Sequence, residues 1–224
     1  MATTDVELRV VEDPARAAGE LLARAAGHVA LSGGTTAGAA YEHAARVRLD
    51  WTGMHVWFGD ERAVPPTDER SNYRLARTTL LDALSRLPES HRIHGELGAE
   101  EAAHLYDEEL GGVTLDLALN GIGPDGHTAS LFPNAPALEE RERRAVAAEA
   151  GLEPFVDRVT MTPPVFAQAR VLVYLVTGEA KAEAVRRAFA DEPSPETPAS
   201  LVRGRETIAI LDEAAASLLQ FSNS

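Results

Sequence analysis

The chain has 224 residues with a formal net charge of −14; 45% are hydrophobic, 25% charged and none is cysteine. That length can bury a substantial core, and residues 1–224 are expected to form a single domain. The acidic balance argues against non-specific binding to nucleic acid, and the lack of thiols excludes disulfides and thiolate metal sites.

The polar opening MATTDVELRV has no apolar stretch of the signal-peptide kind, and no apolar run approaches the ~18 residues of a membrane span. A soluble, cytoplasmic protein is expected. Along the chain, short apolar runs alternate with helix-like segments. HVALS (28–32) reads as a strand that breaks at Gly33-Gly34, with a helix over about 36–47. MHVWF (54–58) is a second strand, ending at Gly59-Asp60-Glu61-Arg62. Residues 72–86 and 99–110 look helical, 113–119 is a third strand and 144–148 a fourth. VLVYLV (171–176) is apolar at successive positions, as a central parallel strand covered on both faces would be. A helix from Gly178 through Phe189 follows. DEPSPETPAS (191–200) reads as a surface loop, 207–211 as a last strand, and Asp212 is suited to cap a helix after it. Strand, loop and helix in repetition predict an α/β fold, a mainly parallel open sheet with helices on both faces. Ligands in such sheets sit beyond the carboxyl ends of the strands. The loops beginning at Ser32, Gly59, Asn120 and Gly178 are therefore expected to face one crevice.

The segment NGIGPDGHTASLFP (120–133) offers two readings. Gly121, Gly123 and Gly126 have the G-x-G-x-x-G spacing of a dinucleotide turn, and a strand precedes them. That turn needs a long helix opening at the third glycine to hold a pyrophosphate, and Pro133 and Pro136 cut the helix short. The stronger reading is a loop that holds Asp125 and His127 over a substrate. LSGGTTAG (31–38) joins a strand to a helix through small residues, so its backbone N–H groups can close on an anion; the bland alternative is a tight turn with Thr35 or Thr36 as N-cap. Three charges in Gly59-Asp60-Glu61-Arg62, at the end of a buried strand, suggest a site, with ion pairing inside the loop as the alternative. Lys181, in the first turn of its helix, opposes the helix dipole unless an anion neutralises it, and Arg158 is ambiguous alone. Histidines 28, 43, 55, 91, 94 and 104 lack convincing ligand spacing, and no metal site is expected.

Taken together, LSGGTT, GDERAVP with SNY after it, GIGPDGHTASLFP, RVT and GEAK, in this order, resemble the glucosamine-6-phosphate isomerase/6-phosphogluconolactonase family, and its lactonase branch in particular. The resemblance runs from about residue 31 to 182, with a family-like tail TIAILDEAA. It implies a modified Rossmann sheet shared with glucosamine-6-phosphate deaminase, and hydrolysis of 6-phosphoglucono-1,5-lactone without a cofactor. It also implies His127 as general base, Asp125 as its neighbour and Arg62 as a substrate-contacting cation. Gly33, Gly34, Thr35, Arg158 and Lys181 match positions that hold the sugar phosphate, and Thr36 and Gly126 join the expected substrate contacts. One departure is Ala37, where the family usually has proline; alanine also forms helix well, so a slightly looser loop is expected. The partner is a small phosphorylated sugar lactone, with no nucleic acid or membrane involved, and the chain is expected to be a monomer or weak homodimer.

Histidine ordinarily titrates just below neutrality, so imidazole can take a proton from water. Either Asp125 or Asp60 could orient the ring of His127, and the sequence does not choose between them. A serine nucleophile is disfavoured because Ser32 and Ser130 lie outside any G-x-S-x-G elbow. The deaminase branch, the nearest rival, carries an Asn-Glu-Pro segment where this chain has Ser130-Leu131-Phe132-Pro133, and a tyrosine where it has the arginine of GDER. A non-catalytic sugar-phosphate sensor on the same fold is a further rival; such proteins carry an added DNA-binding segment, for which this acidic chain shows no basic helix-turn-helix candidate.

Overall fold

A computed structural model describes residues 6–151, 153 and 155–220. In chain order the elements are β1 (Val6–Val10), α1 (Pro14–Arg24), β2 (His28–Leu31), α2 (Thr35–Val47), β3 (His55–Phe58), β4 (Asp60–Arg62), α3 (Asn72–Thr79), β5 (Glu89–Ser90) and α4 (Ala99–Glu109). Then come β6 (Leu117–Asn120), β7 (Ala145–Ala148), β8 (Arg158–Met161), α5 (Pro163–Gln168), β9 (Val171–Val176), α6 (Ala182–Phe189), α7 (Pro198–Leu201) and β10 (Glu206–Leu211).

Seven strands form one sheet in the order β1-β10-β9-β6-β2-β3-β5, parallel at every pairing. Successive side chains of a strand point to opposite faces. All four residues of β6 are buried, as are five of the six in β9 and in β10, so both faces of the sheet are covered. This is the expected α/β architecture. From β2 the chain moves out to β3 and β5 on one side, whereas β6 leads to β9 and β10 on the other. The direction reverses between β2 and β6, and a crevice opens there beyond the strand ends.

Two helical tyrosines finish the strands beside this crevice. The Tyr41 hydroxyl accepts from the Ser32 N–H at 2.8 Å and donates to the Ser32 carbonyl at 2.6 Å; Tyr106 treats Phe58 the same way, at 2.8 and 3.0 Å. Each saturates a peptide that the sheet no longer pairs, and an orphaned buried peptide group is costly. Burial pushes both hydroxyls well above the usual phenol range.

Several sequence expectations change. A second sheet, β4-β8-β7, is antiparallel and was not anticipated; its strands are three or four residues long and offer little periodicity to read. β1 and α1 also escaped the sequence reading. The helix expected over 72–86 ends at Thr79, where the Thr78 and Thr79 hydroxyls bond back to carbonyls of their own turn, and Leu80 and Leu81 turn into the core. The third strand starts at Leu117 because the Asp116 carboxylate takes the His28 N–H at 2.9 Å. No helix follows Asp212 among the described residues. Both of its oxygens take the Gly178 N–H at 3.0 Å, one also takes Ala215 N–H at 2.7 Å, and the next residues form turns. The segment 191–200 is not all surface: Thr197, Ala199 and Ser200 are buried around α7.

Candidate active site

A cavity of about 470 Å³ lies at the β2/β6 reversal, and residues from all four anticipated loops line it: Ser32 to Thr36, Asp60 and Arg62, Asn120 to Gly123 with His127, and Lys181. Asn72, Arg158, Thr177 and the acidic Glu153 also line it.

The loop after β6 closes on itself. Gly123 N–H donates to the His127 carbonyl, Gly126 N–H to the Gly123 carbonyl, and Thr128 Oγ to the Gly121 carbonyl, at 2.9–3.0 Å. No helix opens at Gly126, so the dinucleotide geometry is absent. The glycines serve a different end. A Cβ on Gly123 would sit 2.0 Å from His127 Nδ1, so this glycine makes room for the imidazole. Gly126 has φ +93, and a Cβ there would meet Thr197 Cγ2 at 2.9 Å; its position is structural, and it does not line the cavity. The loop leans on distant chain: Ala199 N–H donates to the Gly126 carbonyl, Asn134 N–H to the Pro195 carbonyl, and Arg187 to the Pro124 carbonyl, at 3.0–3.1 Å.

His127 Nδ1 lies 2.6 Å from Asp125 Oδ1, which also accepts the His127 N–H at 3.1 Å. Burial raises the Asp125 carboxyl, but these bonds and the proximity of His127 outweigh it and leave the pKa below the usual carboxylate value. An ionised carboxylate only accepts, so Nδ1 carries a proton, and in the neutral ring the lone pair is on Nε2. Phe132 packs beside the ring, centroids 4.8 Å apart.

Asp60 engages other groups. Its two oxygens accept from Ser130 Oγ at 2.6 Å and from Asn72 Nδ2 at 3.0 Å. Asn72 Oδ1 in turn accepts from Arg62 at 2.6 Å. Ser130, Asp60 and Asn72 thus form a buried chain that ends on the guanidinium of Arg62. Gly33 is tied to the same network, since a Cβ there would fall 2.1 Å from Asn72 Oδ1. Glu61 is occupied by the start of α3: its carboxylate accepts from the N–H groups of Arg62, Asn72 and Tyr73 and from Ser71 Oγ, at 2.7–2.9 Å.

The cavity is rich in positive charge. Arg62 and Arg158 are direct partners across the antiparallel β4-β8 pair, a placement that costs stability when like charges face each other. Burial, then Arg62 itself, holds the Arg158 pKa below its ordinary value. Lys181 sits at the start of α6, and its side chain has no hydrogen bond or ion pair among the described residues; burial lowers its pKa and Asp125 opposes the shift. The N-cap of α2 is Gly34, φ +101, and no side chain caps the helix. This overturns the Thr35 or Thr36 N-cap alternative. Thr36 instead bonds Thr177 at 2.9 Å, and the first N–H groups of a thirteen-residue helix face the cavity. Sequence reasoning gave no role to Asn72 or to Asn120, which is fully buried in the lining with neither amide atom bonded. A strand ending on asparagine at a glycine turn was the available signal.

Fold and site define an α/β protein with a crevice lined by three cations at a topological switch point. The chain belongs to the family of glucosamine-6-phosphate isomerases/6-phosphogluconolactonase, whose description matches residues 3–210. It is 38% identical over 212 residues to a 6-phosphogluconolactonase of Synechocystis sp., covering 88% of this chain and 86% of that one. It is 41% identical over 180 residues to the Homo sapiens 6-phosphogluconolactonase, covering 75% and 68%. Among solved structures, the 6-phosphogluconolactonase from Trypanosoma cruzi superposes with a TM-score of 0.85 at 25% identity over 98% of both chains. A monomeric glucosamine-6-phosphate deaminase shares the fold, with a TM-score of 0.82 at 19% identity.

Proposed function

We propose that the chain hydrolyses 6-phospho-D-glucono-1,5-lactone to 6-phospho-D-gluconate, a step of the oxidative pentose phosphate pathway, with His127 as general base. The observation that carries this reading is an imidazole with Nδ1 engaged by Asp125 and Nε2 free for water, in the same crevice as the open start of α2 and three cations. Nε2 takes a proton from water as its oxygen attacks the lactone carbonyl, and the Asp125 carboxylate stabilises the imidazolium that forms. Arg62, fixed by Asn72, faces the oxyanion, with Asn120 as a further donor. The bond from the carbonyl carbon to the ring oxygen then breaks, and the imidazolium returns its proton to that oxygen. Arg158, Lys181 and the N–H groups of Gly34, Thr35 and Thr36 hold the phosphate.

The relatives named as lactonases support this over the deaminase branch. So does Ser130, which stands where that branch has a carboxylate-bearing segment and is turned inward onto Asp60. On this reading the protein works in the cytoplasm on a small molecule, as a monomer or weak homodimer; no described helix is long and apolar enough to cross a membrane. The test offers the purified chain 6-phosphogluconolactone and, separately, glucosamine 6-phosphate with detection of ammonia. Acid release from the lactone alone is expected. Ammonia release without lactone turnover would overturn the proposal.

A further inference from the structure

The parallel register builds a second cluster at the other end of the sheet. His28 and His55 are the first residues of β2 and β3 and lie opposite each other; His55 lies opposite Glu89, the first residue of β5. Glu89 and His91 are two apart, which in extended chain places them on one face, and Trp57 shares that face with His55. Across strands of four residues this end lies about 13 Å from the carboxyl-terminal crevice, at ~3.3 Å per residue. Sequence spacing conceals the cluster, because its members come from three strands.

We infer that His55 Nδ1, His91 Nε2 and the Glu89 carboxylate form a binding site for a divalent transition ion of the zinc class. The two nitrogens are 3.1 Å apart, and the Glu89 carboxylate spans them, Oε2 3.5 Å from His55 Nδ1 and Oε1 3.7 Å from His91 Nε2. Ligands about 2.0–2.1 Å from a tetrahedral ion lie about 3.3–3.4 Å from one another, and here one ligand atom from each residue lies within 4.8 Å of the others, close to one tetrahedral face. His91 is pre-set for the task. Its Nδ1 lies 2.6 Å from Glu109 Oε1, the outer carboxylate–histidine arrangement that fixes the tautomer and leaves Nε2 as donor to a metal. Its ring is stacked on Trp57 at 3.9 Å and 6°, while His28 stacks on His55 at 4.5 Å.

His28 is not a ligand through Nδ1, which accepts from Trp57 Nε1 at 3.0 Å. Glu89 is exposed, so water can fill the fourth position. The proton now held between His55 and His91 moves to the outer nitrogen of the His55 ring when Nδ1 takes the ion, so both rings bind as neutral imidazoles. The charged and titratable groups facing the pair are Glu89, Glu109, His28 and, beyond His28, Asp116. The ion ties β5, which pairs through only two residues, to β3, and so braces the edge of the sheet.

Chelator-stripped full-length chain carrying His127→Ala, which removes the crevice imidazole from the count, is titrated with zinc chloride by calorimetry and equilibrium dialysis. One zinc per chain is expected, along with the intense visible bands of tetrahedral cobalt when Co²⁺ replaces zinc. His55→Gln with His91→Gln should abolish both. Glu89→Gln, an exposed change that leaves folding intact, should weaken binding at least tenfold without altering lactone turnover in the otherwise unmodified chain. Absence of zinc binding in the His127→Ala chain, or binding unchanged by Glu89→Gln and by the double histidine variant, overturns the inference.

Discussion

Glu61 is the acid whose removal the structure predicts most quantitatively. Its Oε1 accepts the N–H groups of Arg62 and Asn72; its Oε2 accepts Ser71 Oγ and the Tyr73 N–H. Glutamine retains one carbonyl oxygen. The best placement puts the amide nitrogen at Oε2, where the Ser71 hydroxyl can reverse and accept, so that only the Tyr73 N–H is orphaned. A buried donor left without a partner costs about 1–3 kcal/mol. Neutralisation itself costs little more, since burial is the strongest influence on this carboxyl and already pushes its pKa up. Glu61→Gln should therefore lose about 2 kcal/mol, a fall in Tm of roughly 4–8 °C for a chain of this size. Glu61→Leu orphans all three N–H groups, about 3–9 kcal/mol, which rivals the whole stability of a typical domain. Thermal unfolding followed by circular dichroism measures both. Equal Tm values for the glutamine and leucine variants would refute the assignment of Glu61 to donor satisfaction.

The remaining predictions concern the crevice. His127→Ala should abolish lactone turnover while leaving 6-phosphogluconate binding by calorimetry largely intact; retained turnover removes the proposed base. Asp125→Asn should lower kcat by about 10²–10⁴-fold with little change in KM, as expected for loss of the group that orients and balances an imidazolium. Because the folded state depresses the Asp125 pKa, its contribution to stability is complete above the ordinary carboxylate value and fades as pH falls through the lower folded one. Urea midpoints of wild type and Asp125→Asn should therefore differ near neutrality and converge in acid. Lys181→Met should leave the unliganded protein as stable as wild type or slightly more so, since burial disfavours the ammonium, yet lose most of the Tm rise produced by inorganic phosphate and raise KM. Gly123→Ala should fold but lose activity, because its Cβ would occupy the space of the His127 ring.

Most of the framework was legible because parallel buried strands write themselves as apolar runs, and VLVYLV matches β9 residue for residue. The crevice was legible for a related reason: strand ends followed by glycine and charge converge in any open parallel sheet. What escaped depends on cross-strand register or on packing. Whether Asp125 or Asp60 holds the imidazole is a matter of ångströms inside a loop, and the answer leaves Asp60 on Asn72 and Ser130. The opposition of Arg62 and Arg158 arises from a pairing between segments almost a hundred positions apart. The His55–Glu89–His91 triangle is invisible for the same reason, since the spacing of these histidines along the chain gave no ligand pattern.

The support that Ala199 gives to Gly126, in the turn carrying His127, and Pro195 to Asn134 seven residues further on makes a surface connector a determinant of where the His127 imidazole stands. Deleting a single residue between Asp191 and Thr197 would drag that turn with it. Shortening this proline-rich stretch to stiffen the protein would therefore shift the imidazole off its target, and thermostabilising efforts should leave the length of this stretch alone.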